Sequence, residues 1–202
     1  LDDRLVPVVE RIGDLDALIS VDTRRAETAR AALDAGADII NDVSGLADPG
    51  MRFVAAEYDV PVVVMHSINA TVDPDVTVEY DDVVSDTIAQ LRERILLAER
   101  AGLSRDQIIV DPGIGFGKSA TESFELLDRT GEFAALGCPV LVGHSHKSLF
   151  ARVERETGDR YEATVAGSAI AADRGADIVR VHEVAGNVAA VRVAEEARTQ
   201  GS

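Results

Sequence analysis

Six short apolar runs alternate along this chain with segments of helical periodicity, and nearly every run is closed at its C-terminal end by a polar side chain: Asp22, Asn41, His66, Asp111, Ser145 and His182. Apolar strands alternating strictly with helices imply a parallel sheet with helices on its faces, either a doubly wound sheet or a TIM (β/α)8 barrel. The two differ in where their chemistry sits. A doubly wound sheet concentrates its site at one switch point, whereas a barrel lines one mouth with the C-terminal ends of all its strands. Polar groups at successive strand ends therefore predict the barrel. A barrel has eight βα units and typically about 250 residues, and about six units are legible in these 202 residues. The expectation is an α/β TIM barrel, one domain over residues 1–202, that opens inside a helix and lacks its first two strands.

In order, periodicity predicts a helix over residues 1–12, then a strand over 18–22, with Thr23 capping a helix over 24–35 that stops at Gly36. A strand over 38–42 and a loop over 43–48 lead to a helix over 49–58, with Pro49 in its first turn. A strand over 60–66 and a polar loop over 67–78 precede an amphipathic helix of about two dozen residues that ends before Gly102. The fourth strand is 108–111, followed by a helix over 122–136, a strand over 139–143 and a loop over 144–148. Helical stretches near 149–156 and 162–175, a strand over 177–182 and a helix over 185–199 complete the chain.

The fourth strand carries the strongest local signal. Ile108-Ile109-Val110 ends on Asp111 and opens into Pro112-Gly113-Ile114-Gly115-Phe116-Gly117-Lys118-Ser119, where alternate glycines let the backbone approach a flat ligand closely. A Walker A phosphate loop does not fit, because the glycine it requires five positions before Gly117 is Pro112.

Composition bounds the partners. Aromatics are 4% and tryptophan is absent, so the core must come from Val, Ile, Leu and Ala. With 36 acidic and 20 basic residues the formal charge is −16, which excludes nucleic acid and anionic membrane surfaces as partners. No apolar stretch approaches the ~18 residues of a membrane span and no signal-peptide pattern is present, so a cytoplasmic location is expected. The single cysteine, Cys138, reads as a buried inert thiol. Only Lys118 and Lys147 are lysines, a balance that resembles proteins of halophilic organisms, and both fall in candidate site loops.

Taken together, Ser20-Val21-Asp22-Thr23, Asn41-Asp42-Val43-Ser44-Gly45, Met65-His66, the Asp111 to Lys118 loop, Gly143-His144-Ser145-His146-Lys147-Ser148 and Arg180-Val181-His182 resemble the dihydropteroate synthase family of pterin-binding TIM barrels, across essentially the whole chain. The resemblance implies condensation of 6-hydroxymethyl-7,8-dihydropterin pyrophosphate with p-aminobenzoate to give dihydropteroate and pyrophosphate, in folate biosynthesis. It implies that Asp22, Asn41, Met65, Asp111, Gly143, Lys147 and Arg180 bind the pterin, with Asp111 accepting two parallel hydrogen bonds from its guanidine-like edge. It places p-aminobenzoate against Phe116, Lys147 and Ser148, and pyrophosphate against Arg180, His182 and Ser145. It further implies Mg2+ on the pyrophosphate with no metal ligand in this chain, a homodimer, and a dissociative reaction in which pyrophosphate leaves before the amine attacks.

One departure is chemical: His146 stands where the family has arginine, so any part it plays in anion binding needs the imidazolium and weakens above about pH 6.5. Asp22 and Asp42 also suit helix caps, and His66 and His182 suit satisfied core positions. Three rival functions share some of these residues. A pterin-dependent methyltransferase would use the Asp and Asn groups but not the anion-suited segments. A metal hydrolase would use His144 and His146 with His66 and His182. A non-catalytic pterin-binding module is the reading if nothing precedes Leu1.

Overall fold

The computed structural model describes residues 2–67, 79–153 and 160–200. Among them the order is α1 (Asp2–Ile12), β1 (Ser20–Asp22), α2 (Ala26–Asp34), β2 (Ile39–Asp42), α3 (Pro49–Tyr58), β3 (Val62–Met65), α4 (Val83–Arg100), β4 (Ile108–Asp111), α5 (Ala120–Asp128), β5 (Leu141–Val142), α6 (Tyr161–Asp173), β6 (Ile178–Val179) and α7 (Val184–Gln200). Strand and helix alternate throughout, as the periodicity predicts. Of the loop expected over 67–78 only Ser67 is described, and of the helical stretch expected over 149–156 only residues 149–153 are.

The chain divides into two compact units, residues 1–71 with 89–110, and residues 72–88 with 111–202. In the first, β1 to β4 form one sheet in sequence order, with β1–β2 and β2–β3 parallel. Every residue of β3 and β4 is buried, which is why these strands read as unbroken apolar runs. β1 is an edge, and its Ser20 and Asp22 are exposed on either side of buried Val21. In the second unit β5 and β6 pair in parallel, Leu141 with Ile178 and Val142 with Val179.

The strands are shorter than their apolar runs, and one device recurs at their entries. Asp38 Oδ2 accepts the Ile19 backbone N–H at 2.7 Å, and Asp177 Oδ2 accepts that of Val140 at 2.8 Å. In each case the aspartate lies at the entry of the following strand, and its carboxylate takes a donor that the ladder does not use.

Two local expectations are corrected. Thr23 does not cap α2: its hydroxyl accepts the Arg25 N–H at 3.2 Å, outside the helix. Asp48 serves instead, and serves twice. Its Oδ2 accepts the Ala26 N–H that opens α2, at 2.8 Å, and its Oδ1 accepts the Gly50 N–H in the first turn of α3, at 2.9 Å. The helix expected over 122–136 is α5 followed by a 3-10 helix, Thr130–Leu136, because the Thr130 hydroxyl bonds the Leu126 and Leu127 carbonyls at 3.0 and 2.9 Å. At Gly131 a Cβ would come within 2.9 Å of the Arg174 carbonyl oxygen.

Because one carboxylate satisfies orphan donors of two helices, Asp48→Ala is expected to cost about 2 kcal/mol, roughly twice a single cap. Thermal or urea unfolding checks this, with Asp48→Asn, which keeps one acceptor oxygen and turns the other into a donor, expected to recover no more than about half of the loss.

Candidate functional site

The candidate residues fall into two groups, one in each unit. In the first unit, parallel register sets Asp22 opposite Asn41, and the Asn41 Nδ2 donates to Asp22 Oδ2 at 3.0 Å. The two side chains thus share a face at the C-terminal ends of adjacent strands. Asn41 is buried and Asp22 exposed, so the pair grades from sheet interior to solvent. Asp42, the next residue, points the other way and is structural. Its carboxylate accepts the Ser44 N–H and hydroxyl and the Leu46 N–H, at 2.8, 2.6 and 3.0 Å. Burial nevertheless raises its pKa. Met65 and His66 are buried at the end of β3, where Gly45 (φ +63°) lies so close to the Met65 carbonyl that a Cβ would approach it to 2.6 Å.

The second unit holds the denser group, built around Asp111. This carboxylate is buried, its Oδ1 accepts the Gly113 N–H at 2.8 Å, and burial raises its pKa against the opposing pull of Lys147, Lys118 and Arg180. Gly143 lies beside it: a Cβ there would sit at ordinary contact distance, 3.6 Å from Asp111 Oδ2 and 4.0 Å from the Arg180 Cβ. Lys147 Nζ donates to the Ile114 carbonyl and lies 4.4 Å from the Phe116 ring centroid, a cation–π contact. Burial lowers its pKa while Asp111 raises it. Ser148, beside Lys147, is exposed at the start of the 3-10 helix Ser148–Arg152.

The loop from Asp111 to Phe116 is shaped by Gly113, Gly115 and Gly117, all with φ between +62° and +77°. Only glycine adopts that conformation without strain, which explains their alternate spacing. Lys118, which the sequence reading assigned no role, closes the loop from below: its Nζ donates to the Gly113 and Phe116 carbonyls, both at 3.1 Å. Burial lowers its pKa to about 7.

Arg180 and His182 follow β6, and both are exposed. The Ser145 hydroxyl sits 2.8 Å from His182 Nδ1 and accepts the His182 backbone N–H at 3.3 Å. A hydroxyl that accepts one N–H has its own proton to give. Donated to Nδ1, it leaves the ring proton on Nε2, so a neutral His182 presents an N–H to a ligand.

His146, at the position of the family arginine, is engaged by a carboxylate. Its Nε2 lies 2.8 and 2.9 Å from the two carboxylate oxygens of Glu183, a partner the sequence reading missed. Its backbone is left-handed (φ +55°), held by Thr164 Oγ1 on its N–H and Arg160 on its carbonyl. His144 is a buried core histidine that bonds the Thr164 carbonyl through Nε2 at 3.0 Å, with its pKa lowered by burial. These partners take up the His-x-His pair that a metal hydrolase would need. Among the described residues no cluster of three or more His, Cys, Asp or Glu side chains is placed to hold a metal ion. Nor is any helix among the described residues long and apolar enough to cross a membrane.

The family model described as pterin binding enzyme matches residues 2–182. The chain is 67% identical over 195 residues to a protein of Haloferax volcanii and 71% identical over 197 residues to one of Halobacterium salinarum, both named "Probable bifunctional folylpolyglutamate synthase/dihydropteroate synthase". These alignments cover 96% and 98% of this chain but only 23% and 24% of those proteins, so the chain spans about a quarter of their length. Among solved structures, Xanthomonas albilineans dihydropteroate synthase with 4-aminobenzoic acid superposes with a TM-score of 0.89 at 39% identity, over 97% of this chain and 71% of that one. The fold is that of these TIM-barrel enzymes, with six of the barrel's strands among the described residues.

Proposed function

We propose, from the premise that this chain belongs to the pterin-binding enzyme family, that it is the dihydropteroate synthase part of its protein. It joins 6-hydroxymethyl-7,8-dihydropterin pyrophosphate to p-aminobenzoate and releases pyrophosphate. The observation that carries this is the Asp111 group: a buried carboxylate with Lys118, Lys147 and Arg180 acting on it, beside a lysine-backed phenylalanine. A buried carboxylate whose ionisation is opposed by desolvation gains most from a ligand that brings donors to both oxygens, as the pterin's guanidine-like edge does. By the family resemblance Asp22, Asn41 and Met65 also contact the pterin ring, and Lys147 its carbonyl side.

Phe116 and Ser148 then face the aminobenzoate ring and carboxylate, while Arg180, His182 and Ser145 receive the pyrophosphate. The bond between the pterin methylene carbon and the pyrophosphate oxygen breaks first, the electron pair leaving with oxygen. The aminobenzoate nitrogen then attacks that carbon and loses a proton. No side-chain nucleophile is required, so the protein contributes positioning and stabilisation of the leaving charge. Mg2+ is the cofactor this reading expects, and it would help to neutralise the charge of the leaving pyrophosphate.

Three further features accompany the reading. Exposed Val184 and Val188, one turn apart on α7, offer apolar side chains that a second copy would bury, in keeping with a homodimer. The charge of −16, with the two relatives from Haloferax and Halobacterium, supports a halophilic source, where salt screens self-repulsion. Charged, water-soluble substrates suit a cytoplasmic enzyme.

The test is turnover by the full-length protein. Incubated with both substrates it is expected to form dihydropteroate and pyrophosphate in equal amounts. Pyrophosphate released at the same rate without aminobenzoate, or methyl transfer in place of condensation, would refute the synthase reading.

A further inference from the structure

We propose that Lys118 is a positioning residue for the aminobenzoate subsite, a primary amine that ties the Gly113 and Phe116 carbonyls together so that residues 113–117 hold the Phe116 ring against Lys147. This rests on the synthase reading for the identity of the ligand, but not for the mechanics of the loop.

The loop needs such a tie. Three positive-φ glycines in five residues give it the freedom to reach this shape and equal freedom to leave it. Its own backbone supplies one turn bond, Phe116 N–H to the Gly113 carbonyl at 3.1 Å. The Lys118 amine bonds that same carbonyl and the Phe116 carbonyl, so it spans the two ends of the turn. Lys118 is itself anchored, because the next residue, Ser119, is the N-cap of α5 in a reciprocal capping box with Glu122. Lys147 grips the loop's middle from the opposite strand end, on the Ile114 carbonyl and the Phe116 ring. Gly115 packs against its stem, where a Cβ would lie 3.2 Å from Lys147 Cδ.

Residue usage points the same way. Eighteen of the twenty basic residues are arginine, and the only two lysines both bond carbonyls of this one loop. A surface cation can be either type, so something at these two positions selects lysine. Burial supplies the reason. With its pKa near 7, Lys118 can shed its proton and still offer two N–H donors to two carbonyls. An arginine would carry its charge permanently into the same desolvated place. Asp111 and Glu122 favour the charged amine there, while Lys147 and desolvation oppose it. Since the folded pKa lies below the ordinary lysine value of 10.5, folding is opposed by this residue most below pH 7, and the penalty lifts as pH rises from about 7. The tie therefore survives on the alkaline side.

The experiment uses the full-length protein with Lys118→Met, Lys118→Arg and Lys118→Cys, the last alkylated with 2-bromoethylamine to restore an amine of nearly lysine length. Unsubstituted protein treated with the same reagent is the control for Cys138, which is buried. KM for aminobenzoate should rise about tenfold in Lys118→Met, as for one lost buried hydrogen-bond pair, while KM for the pterin pyrophosphate moves several-fold less. Arginine should not rescue, and the alkylated cysteine should. Hydrogen exchange over residues 113–117 should quicken in Lys118→Met and slow again on alkylation, which reports the tie even in protein that makes no dihydropteroate. Unchanged exchange, an equal loss for both substrates, or an arginine variant with normal KM would overturn the proposal.

Discussion

Asp111→Asn is expected to abolish pterin binding, with a loss of about a thousandfold or more in affinity, the scale on which sites built for a hydrogen-bonding edge reject a mismatched one. One carboxylate oxygen becomes an NH2, so either the Gly113 N–H or the ligand's donor edge meets another donor. The electrostatic consequence compounds the steric one. Asp111 favours the charged form of both Lys118 and Lys147, and a neutral residue leaves those buried amines with desolvation less opposed. Calorimetry with a pterin ligand checks this. Near-normal affinity would remove Asp111 from the site, whereas lost affinity with an unchanged unfolding transition would show that the carboxylate serves the ligand rather than the fold.

Arg180→Ala is expected to weaken pyrophosphate binding by about tenfold to a hundredfold, the range for losing a charge-assisted, potentially bidentate donor. Titration with inorganic pyrophosphate provides the measurement, and sulfate or phosphate in a crystal should lie near Arg180 and His182. His146 is engaged with Glu183, and the Ser145 hydroxyl lies within hydrogen-bond distance of His182 Nδ1, which leaves Nε2 of that ring for the anion. Pyrophosphate affinity unchanged by Arg180→Ala would make the strand-end residues structural.

The order of strands and helices, the polar groups at the strand ends and the glycine-rich loop after Asp111 were all legible in the chain itself. Each depends on neighbours in sequence: apolar runs of strand length, 3.6-residue periodicity in α4, and glycines where φ must be positive. The same locality limited the reading. Thr23 seemed the cap for α2 because it precedes the helix, yet the carboxylate that reaches Ala26 belongs to Asp48, twenty-two residues on. Nothing in the local pattern distinguishes the two.

His146 could be recognised as a departure from the family arginine, but not its partner. Glu183 lies thirty-seven residues away, and the two meet only because β5 and β6 pair in register, which also brings Ser145 to His182. Lys118 was visible as one of two lysines, without a role. Its task follows from two carbonyl directions that a folded loop sets and a sequence does not show. Backbone periodicity and turn chemistry are thus determined along the chain, while caps, tautomers and the amine that ties the loop are decided by which distant groups the parallel register sets side by side.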